Sequence, residues 1–138
     1  MPRPDYTTAS LRVWGDDLVP EEISHLLGAS STMSERKGDT RVGRATGKLR
    51  VAKAGLWRLS APERRDGDLD RQIEELFAEL TSDAAVWRNL ASRYGIDVFC
   101  GVFMKAGNDG LVFEPATLRL LGERGARLNL DIYDSNDG

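Results

Sequence analysis

The sequence predicts an α+β fold, a ferredoxin-like sandwich in which a mostly antiparallel sheet carries helices on one face. Short runs of alternating apolar and polar residues indicate strands, and other runs with apolar residues at helical spacing indicate helices. The segments PEEISHLLG (20–28) and PATLRLLG (115–122) both begin at proline and end with Leu-Leu-Gly. Because each lies between two predicted strands, we interpret them as a weak internal duplication of a β-α-β unit.

Alternation is clearest over residues 9–15, where Leu11 and Val13 lie on one face of a strand and Arg12 and Trp14 on the other. Residues 96–104 are apolar on both faces, which is typical of a central strand. We predict two more strands and four helices. The strands cover 56–60 and 127–133, and the helices cover 20–28, 69–80, 86–94 and 115–122.

Residues 29–55 are rich in Ser, Thr and Gly and carry a strong excess of cations over anions. We interpret them as a twisted hairpin or a long loop, in which 48–51 forms an exposed edge strand protected by charge. Its basic part, 36–53, contains Arg36, Lys37, Arg41, Arg44, Lys48, Arg50 and Lys53.

Length and charge restrict the class of protein. A chain of 138 residues predicts one domain, 1–138, with an ordered core over about 9–134. A net charge of −3 argues against a surface devoted to nucleic acid or anionic lipid. With a single cysteine and no long apolar run, we expect a soluble cytoplasmic protein without membrane association.

Known catalytic and cofactor motifs are absent from the sequence. GRATGK (43–48) lacks the spacing and the Ser or Thr of a phosphate-binding loop. The single histidine, His25, and the single cysteine, Cys100, cannot form a zinc site by themselves, so we expect neither metal nor cofactor. We expect Cys100 to be inert in the core and His25 to be solvated, although a dyad of the two stays open as an alternative.

The outward face of the predicted sheet is the main candidate binding surface. Arginine and aromatic side chains are enriched where protein surfaces bury on association, so the face predicts a partner groove or a dimer interface. The alternative is that residues 29–55 or the N-terminal residues cover this face as a second core layer. The side chains expected there are Arg12, Trp14, Arg58, Phe99, Phe103, Asn129, Asp131 and Tyr133.

Asp16 and Asp17 form an adjacent pair of carboxylates on a loop that follows the first strand. Such a pair can bind a hard cation or share a proton. Aspartates in a Gly-Asp-Asp turn more often accept hydrogen bonds from nearby backbone amides. We include both residues in the binding surface and assign no catalytic residue.

The whole chain resembles a bacterial family catalogued as domain of unknown function 4279 (DUF4279). The resemblance lies in LRVWGDDLVPEEISHLLG, KGD, GLWRLS, DVFCGVF and LNLDIYD, which together span most of residues 10–134. Family members tend to have Asp or a similar cap before the helix-starting proline, where this chain has Val19, so Asp17 could cap that helix from further upstream. The resemblance implies a small single-domain cytoplasmic protein and supplies no activity.

Three alternative functions are compatible with the sequence, and they follow here in decreasing order of support. The first is a non-enzymatic binding module, inhibitor- or immunity-like by analogy, that uses the outward sheet face to hold a protein partner or a second copy. The second is an enzyme that uses the carboxylates of Asp16, Asp17 and Asp131, with His25. The third is weak RNA binding through residues 36–53, an interpretation that the acidic composition disfavours.

Overall fold

The computed structural model describes residues 3–63 and 66–134. No helix in these two ranges combines the length and the apolar character that crossing a membrane requires. The elements within them are β1 (Tyr6–Gly15), α1 (Pro20–Leu27), β2 (Met33–Glu35), β3 (Thr40–Val42), β4 (Leu49–Val51), β5 (Gly55–Ser60), α2 (Leu69–Ala78), α3 (Ala84–Arg93), β6 (Gly95–Phe103), α4 (Pro115–Glu123) and β7 (Arg127–Tyr133).

Five strands form the main sheet in the order β2-β5-β1-β6-β7, and β3 and β4 form a separate hairpin. β1 lies at the centre and is antiparallel to β5 and to β6, and β2 is antiparallel to β5. β7 is parallel to β6, to which α4 connects it. The predicted α+β class and the mostly antiparallel sheet are confirmed.

The ferredoxin-like arrangement and the internal duplication are not confirmed, because the two β-α-β units are built differently. In the first unit, β1 and β2 run in the same direction with β5 between them. In the second unit, β6 and β7 are direct neighbours. One unit is therefore split by an inserted strand and the other is not.

The core lies between one face of the sheet and the helices. Ala9, Leu11 and Val13 of β1 are buried in it, together with Trp57 of β5 and Trp87 of α3. Trp57 Nε1 donates to the Ser24 hydroxyl at 2.9 Å, and Trp87 Nε1 donates to the Thr81 carbonyl at 2.8 Å. Both indoles thus bury their rings without leaving an N–H unsatisfied.

Several boundaries differ from the predictions. β1 begins at Tyr6 rather than at residue 9, and α4 continues to Glu123. The predicted exposed strand at 48–51 is confirmed as β4, which pairs with β3 in the hairpin. Gly28 ends α1 in the left-handed conformation, as expected, but the described side chains provide no cap at Val19, so the predicted Asp17 cap is wrong.

A buried polar bridge joins α2 to the central strand. Thr7 Oγ1 donates to Gln72 Oε1 at 2.6 Å, and Gln72 Nε2 donates to the carbonyls of Thr7 and Pro62 at 2.9 and 3.0 Å. Both Thr7 and Gln72 are fully buried. The amide therefore satisfies one hydroxyl and two carbonyls at the layer boundary, where water has no access.

Gln72→Ala should lower the free energy of unfolding by about 2–4 kcal/mol, since it opens a cavity and leaves Thr7 without its partner. Urea denaturation monitored by tryptophan fluorescence measures this loss. The matched control is Glu74→Ala on the exposed side of the same helix, which should change stability by about 0.5 kcal/mol or less. Equal effects of the two changes would contradict the role of the bridge.

Candidate functional site

We call the sheet face opposite the helices the open face. Strand registers place on it all eight side chains that the sequence predicted. Alternation along β1 produces this face, because its odd-numbered residues from Thr7 to Val13 are buried under the helices and its even-numbered residues are only partly buried. The eight are Arg12, Trp14, Arg58, Phe99, Phe103, Asn129, Asp131 and Tyr133.

Three rings form a row at one end of the open face. Tyr6, Phe103 and Tyr133 are direct neighbours across β1, β6 and β7. The ring centroids are 4.1 and 4.6 Å apart, and each pair of rings is within 7° of parallel. The Tyr133 hydroxyl donates to Asp131 Oδ2 at 2.6 Å, which raises the pKa of Tyr133. Tyr133 is 40% exposed, and Tyr6 and Phe103 are partly buried, so this aromatic row has one ring that is open to solvent.

An arginine row crosses the middle of the face, where Arg58, Arg12, Asp97 and Arg127 are successive neighbours. Arg12 donates from Nε and NH2 to the two oxygens of Asp97 at 2.8 and 2.6 Å, and its guanidinium lies 4.4 Å from the Phe99 ring centroid. Asp97 is almost fully buried, and its hydrogen bond raises the pKa of Arg12. Arg58 Nε is buried and finds no acceptor among the described residues.

The other end of the open face is partly covered. Trp14 lies against Gly95, where an added Cβ would be 2.3 Å from the indole, so this position requires glycine. The hairpin formed by β3 and β4 approaches here, because Arg41 and Arg50 pair with the buried carboxylate of Glu35. A pocket of about 490 Å³ lies between hairpin and sheet, and it is lined by Trp14, Glu35, Arg50, Val51, Lys53, Ala54 and Leu56.

The predicted covering by residues 29–55 therefore applies to one end of the face only. The hairpin leaves the sheet where Gly15 pairs with Gly55. The aromatic row begins at Tyr6, which a strand rise of about 3.3 Å per residue places roughly 26 Å from Trp14. The aromatic row and the hairpin thus lie at opposite ends of the face.

The structure does not bring the proposed catalytic carboxylates together. Asp16 and Asp17 lie in the exposed turn after β1, where Asp16 pairs with Lys37 at 3.1 Å. Asp131 pairs in register with Gly101 near the aromatic end, and His25 is exposed on α1. Within residues 3–63 and 66–134, no group of three or more His, Cys, Asp or Glu side chains could hold a metal ion.

Four of the seven cations that the sequence places in the basic segment 36–53 pair with acidic side chains. Arg36 pairs with Glu21 at 3.0 Å, Lys37 with Asp16, and Arg41 and Arg50 with Glu35. These contacts tie the segment to α1 and to the sheet. They reduce the positive charge that the segment offers to an RNA backbone.

Sequence reasoning missed three residues of the site. Tyr6 lay outside the predicted strand, and Glu35 lies on the three-residue β2, which no local pattern indicated. Asp97 stands inside an apolar run, and this isolated charge was the one available signal. A carboxylate buried in a central strand needs a nearby cation to stabilise it. Arg12 could be recognised as that cation, because strand alternation places its side chain on the open face.

The model of the family described as Domain of unknown function (DUF4279) matches residues 5–135. The chain belongs to this family. Comparisons with curated proteins and with solved structures give no match. The DUF4279 match extends from β1 to β7 and so includes every strand of the open face.

Cys100 of this DUF4279 protein should resist alkylation at neutral pH in the native state. Its side chain is fully buried on the helix-covered face, and burial together with nearby Asp97 raises its pKa to about 12. Intact-mass spectrometry after iodoacetamide treatment should show no adduct on the native protein and one adduct after denaturation. Rapid native labelling would contradict the core position and reopen the dyad with His25.

Arg12→Met should destabilise the protein by about 2–3 kcal/mol, because the buried carboxylate of Asp97 loses its bidentate partner. The double variant Arg12→Met, Asp97→Leu should regain most of that loss, since it leaves no unpaired charge. Chemical denaturation of the wild type, the two single variants Arg12→Met and Asp97→Leu, and the double variant gives the coupling energy.

The control for this cycle is Arg119→Ala, which breaks the exposed pair of Arg119 with Glu123. It should cost about 0.5 kcal/mol or less. A double variant that is less stable than Arg12→Met alone would show that the carboxylate was not the group left unsatisfied.

Proposed function

We propose that the protein is a non-enzymatic binding module that holds a protein partner against the open face. The supporting observation is a sheet face with a stacked aromatic row and an arginine row that no described helix covers. Rigid rings and arginines are the side chains that most often dominate binding energy at protein interfaces. The stacking also orders these rings before binding, which lowers the entropy lost on association.

The charges of the face determine the chemistry of the partner. The arginine row carries three arginines and one aspartate, whereas the whole chain is acidic. The Arg58 side chain is partly exposed, although its buried Nε lacks an acceptor among the described residues. A partner that places a carboxylate over Arg58 in the middle of the face and an apolar surface over Tyr133 at its aromatic end would complement both rows. In the cell, we favour an inhibitor- or immunity-like role for this contact.

We also propose that the protein is cytoplasmic and that its two β-α-β units arose by duplication, and each of these proposals rests on its own observation. A single buried thiol suits a reducing cytoplasm. α1 and α4 both begin at proline after an extended residue without a side-chain cap. This shared start supports a common origin of the two β-α-β units from one duplicated, ferredoxin-like precursor.

The proposal is tested by affinity capture with matched variants, followed by calorimetry with the purified partner. Trp14→Ala with Tyr133→Ala should weaken binding by roughly 30-fold or more, which corresponds to about 2 kcal/mol at an interface centre. Arg58→Met should weaken it separately and reduce its dependence on salt.

The control is Arg119→Ala, which removes an exposed charge from α4 and should bind like the wild type. Circular dichroism establishes that each variant is folded. A partner that binds the double variant with unchanged affinity would contradict the proposal. So would a lysate in which no captured protein depends on the open face.

A further inference from the structure

We infer that two copies of this chain pair through the outer edge of β7, antiparallel and with the two-fold axis at Leu130, to form one continuous sheet. The pairing uses the edge of the sheet rather than its open face. It therefore does not depend on what the open face binds.

β7 has the features of a strand that is open to pairing. It is bonded to β6 on one side, and no strand of residues 3–63 or 66–134 bonds its other side. Its seven residues match β6 one to one without a bulge and include no Pro, and its two charged residues, Arg127 and Asp131, lie on the open face rather than among Leu128, Leu130 and Ile132. Bulges, prolines and charges are the devices with which proteins normally protect edge strands. The opposite edge, β2, has only three residues.

Alternation along β7 determines which backbone groups are free. The Tyr133 carbonyl accepts from Met104 N at 3.0 Å, so Tyr133 points its backbone groups toward β6. Because N–H and C=O directions alternate along a strand, Leu128, Leu130 and Ile132 point theirs away from the sheet. Leu130 is 36% exposed and Ile132 is 57% exposed, so apolar side chains accompany these outward groups.

A second copy fits this edge in a single register. With the two-fold axis at Leu130, Leu130 pairs with the partner's Leu130, and Leu128 pairs with the partner's Ile132. All outward N–H groups then meet outward carbonyls in hydrogen-bonded pairs. On the helix side of the sheet, the same register joins the aliphatic side chains of both copies into one stripe.

The open-face side of the same register is also complementary. Asn129 lies opposite the partner's Asp131, an amide opposite a carboxylate. Arg127 lies opposite the partner's Tyr133, a guanidinium beside a ring. No like charges face each other, and the arginine row of one copy continues into the aromatic row of the other.

Neighbouring registers are less favourable. A two-fold axis at Asp131 would place that carboxylate opposite itself. An axis at Asn129 would place Ile132 opposite the partner's Ala126 and would lose part of the aliphatic stripe. The charges and the apolar pattern of β7 therefore both select Leu130 as the centre.

Sedimentation equilibrium tests the pairing. The wild type should approach twice the chain mass of 15.3 kDa as concentration rises. Leu130→Lys places two ammonium groups together at the axis and should raise the dimer Kd by more than about tenfold. Leu49→Lys is the matched control, an exposed leucine on β4, and should dimerise like the wild type. A wild type that stays monomeric, or a dimer that survives Leu130→Lys, would overturn the inference.

Amide hydrogen exchange tests the register. In the wild-type dimer, the amides of Leu128, Leu130 and Ile132 should be protected, and Leu130→Lys should expose the outward amides. The amides of Asn129 and Asp131 point toward β6 and should stay protected in both proteins, which shows that the variant is folded. Fast exchange of the three outward amides in a wild-type dimer would overturn the register.

These measurements separate this inference from the proposed function. A monomeric wild type that still binds a partner through the open face would refute the edge pairing alone. A dimer whose open face captures no partner would refute the proposed function alone.

Discussion

The alternation of β1 is the constraint on which the rest of the molecule depends. This ten-residue strand is bonded on both sides, to β5 and to β6, so its register aligns the two longest antiparallel pairs of the sheet. Leu11 and Val13 point into the helix layer, while Arg12 and Trp14 point to the open face. A slip of one residue would exchange the two sets and bury a guanidinium in the core. The faces that meet the helix layer and form the open face are thus determined by the same ten residues.

The side chains of the open face are held in place by contacts with one another. Asp97 would be costly in a central strand if it stood alone, and Arg12 offsets that cost with two hydrogen bonds while it stacks on Phe99. Stacking fixes Phe103 between two tyrosines in the same way. The side chains that would meet a partner are therefore ordered by contacts inside the sheet, which favours binding without rearrangement.

Local pattern was enough to predict the open face, because strand alternation is a short-range property. The strand at 127–133, the helix start at Pro20 and its end at Gly28 also follow from local signals. Strand order could not be obtained in this way. β5 lies between β1 and β2, and its position in the sheet depends on contacts between residues that are far apart in sequence. The prediction that Asp16, Asp17, His25 and Asp131 form a cluster was wrong for the same reason. Residues that could act together chemically lie close together only if the strand order brings them to one end of the sheet.

The two edges of the main sheet are protected very differently. At β2, the hairpin arginines neutralise Glu35, and the short strand offers few free backbone groups. At β7, the aliphatic side chains of Leu128, Leu130 and Ile132 lie beside the outward amides, no proline blocks pairing, and the charged residues Arg127 and Asp131 lie on the open face. Tyr133 belongs to this edge and also to the aromatic row. A surface placed over Tyr133 would therefore touch both copies of a paired sheet, because Arg127 of the second copy lies beside that ring. Edge pairing would extend the open face rather than compete with it, and each partner molecule would contact an arginine row and an aromatic row from different chains.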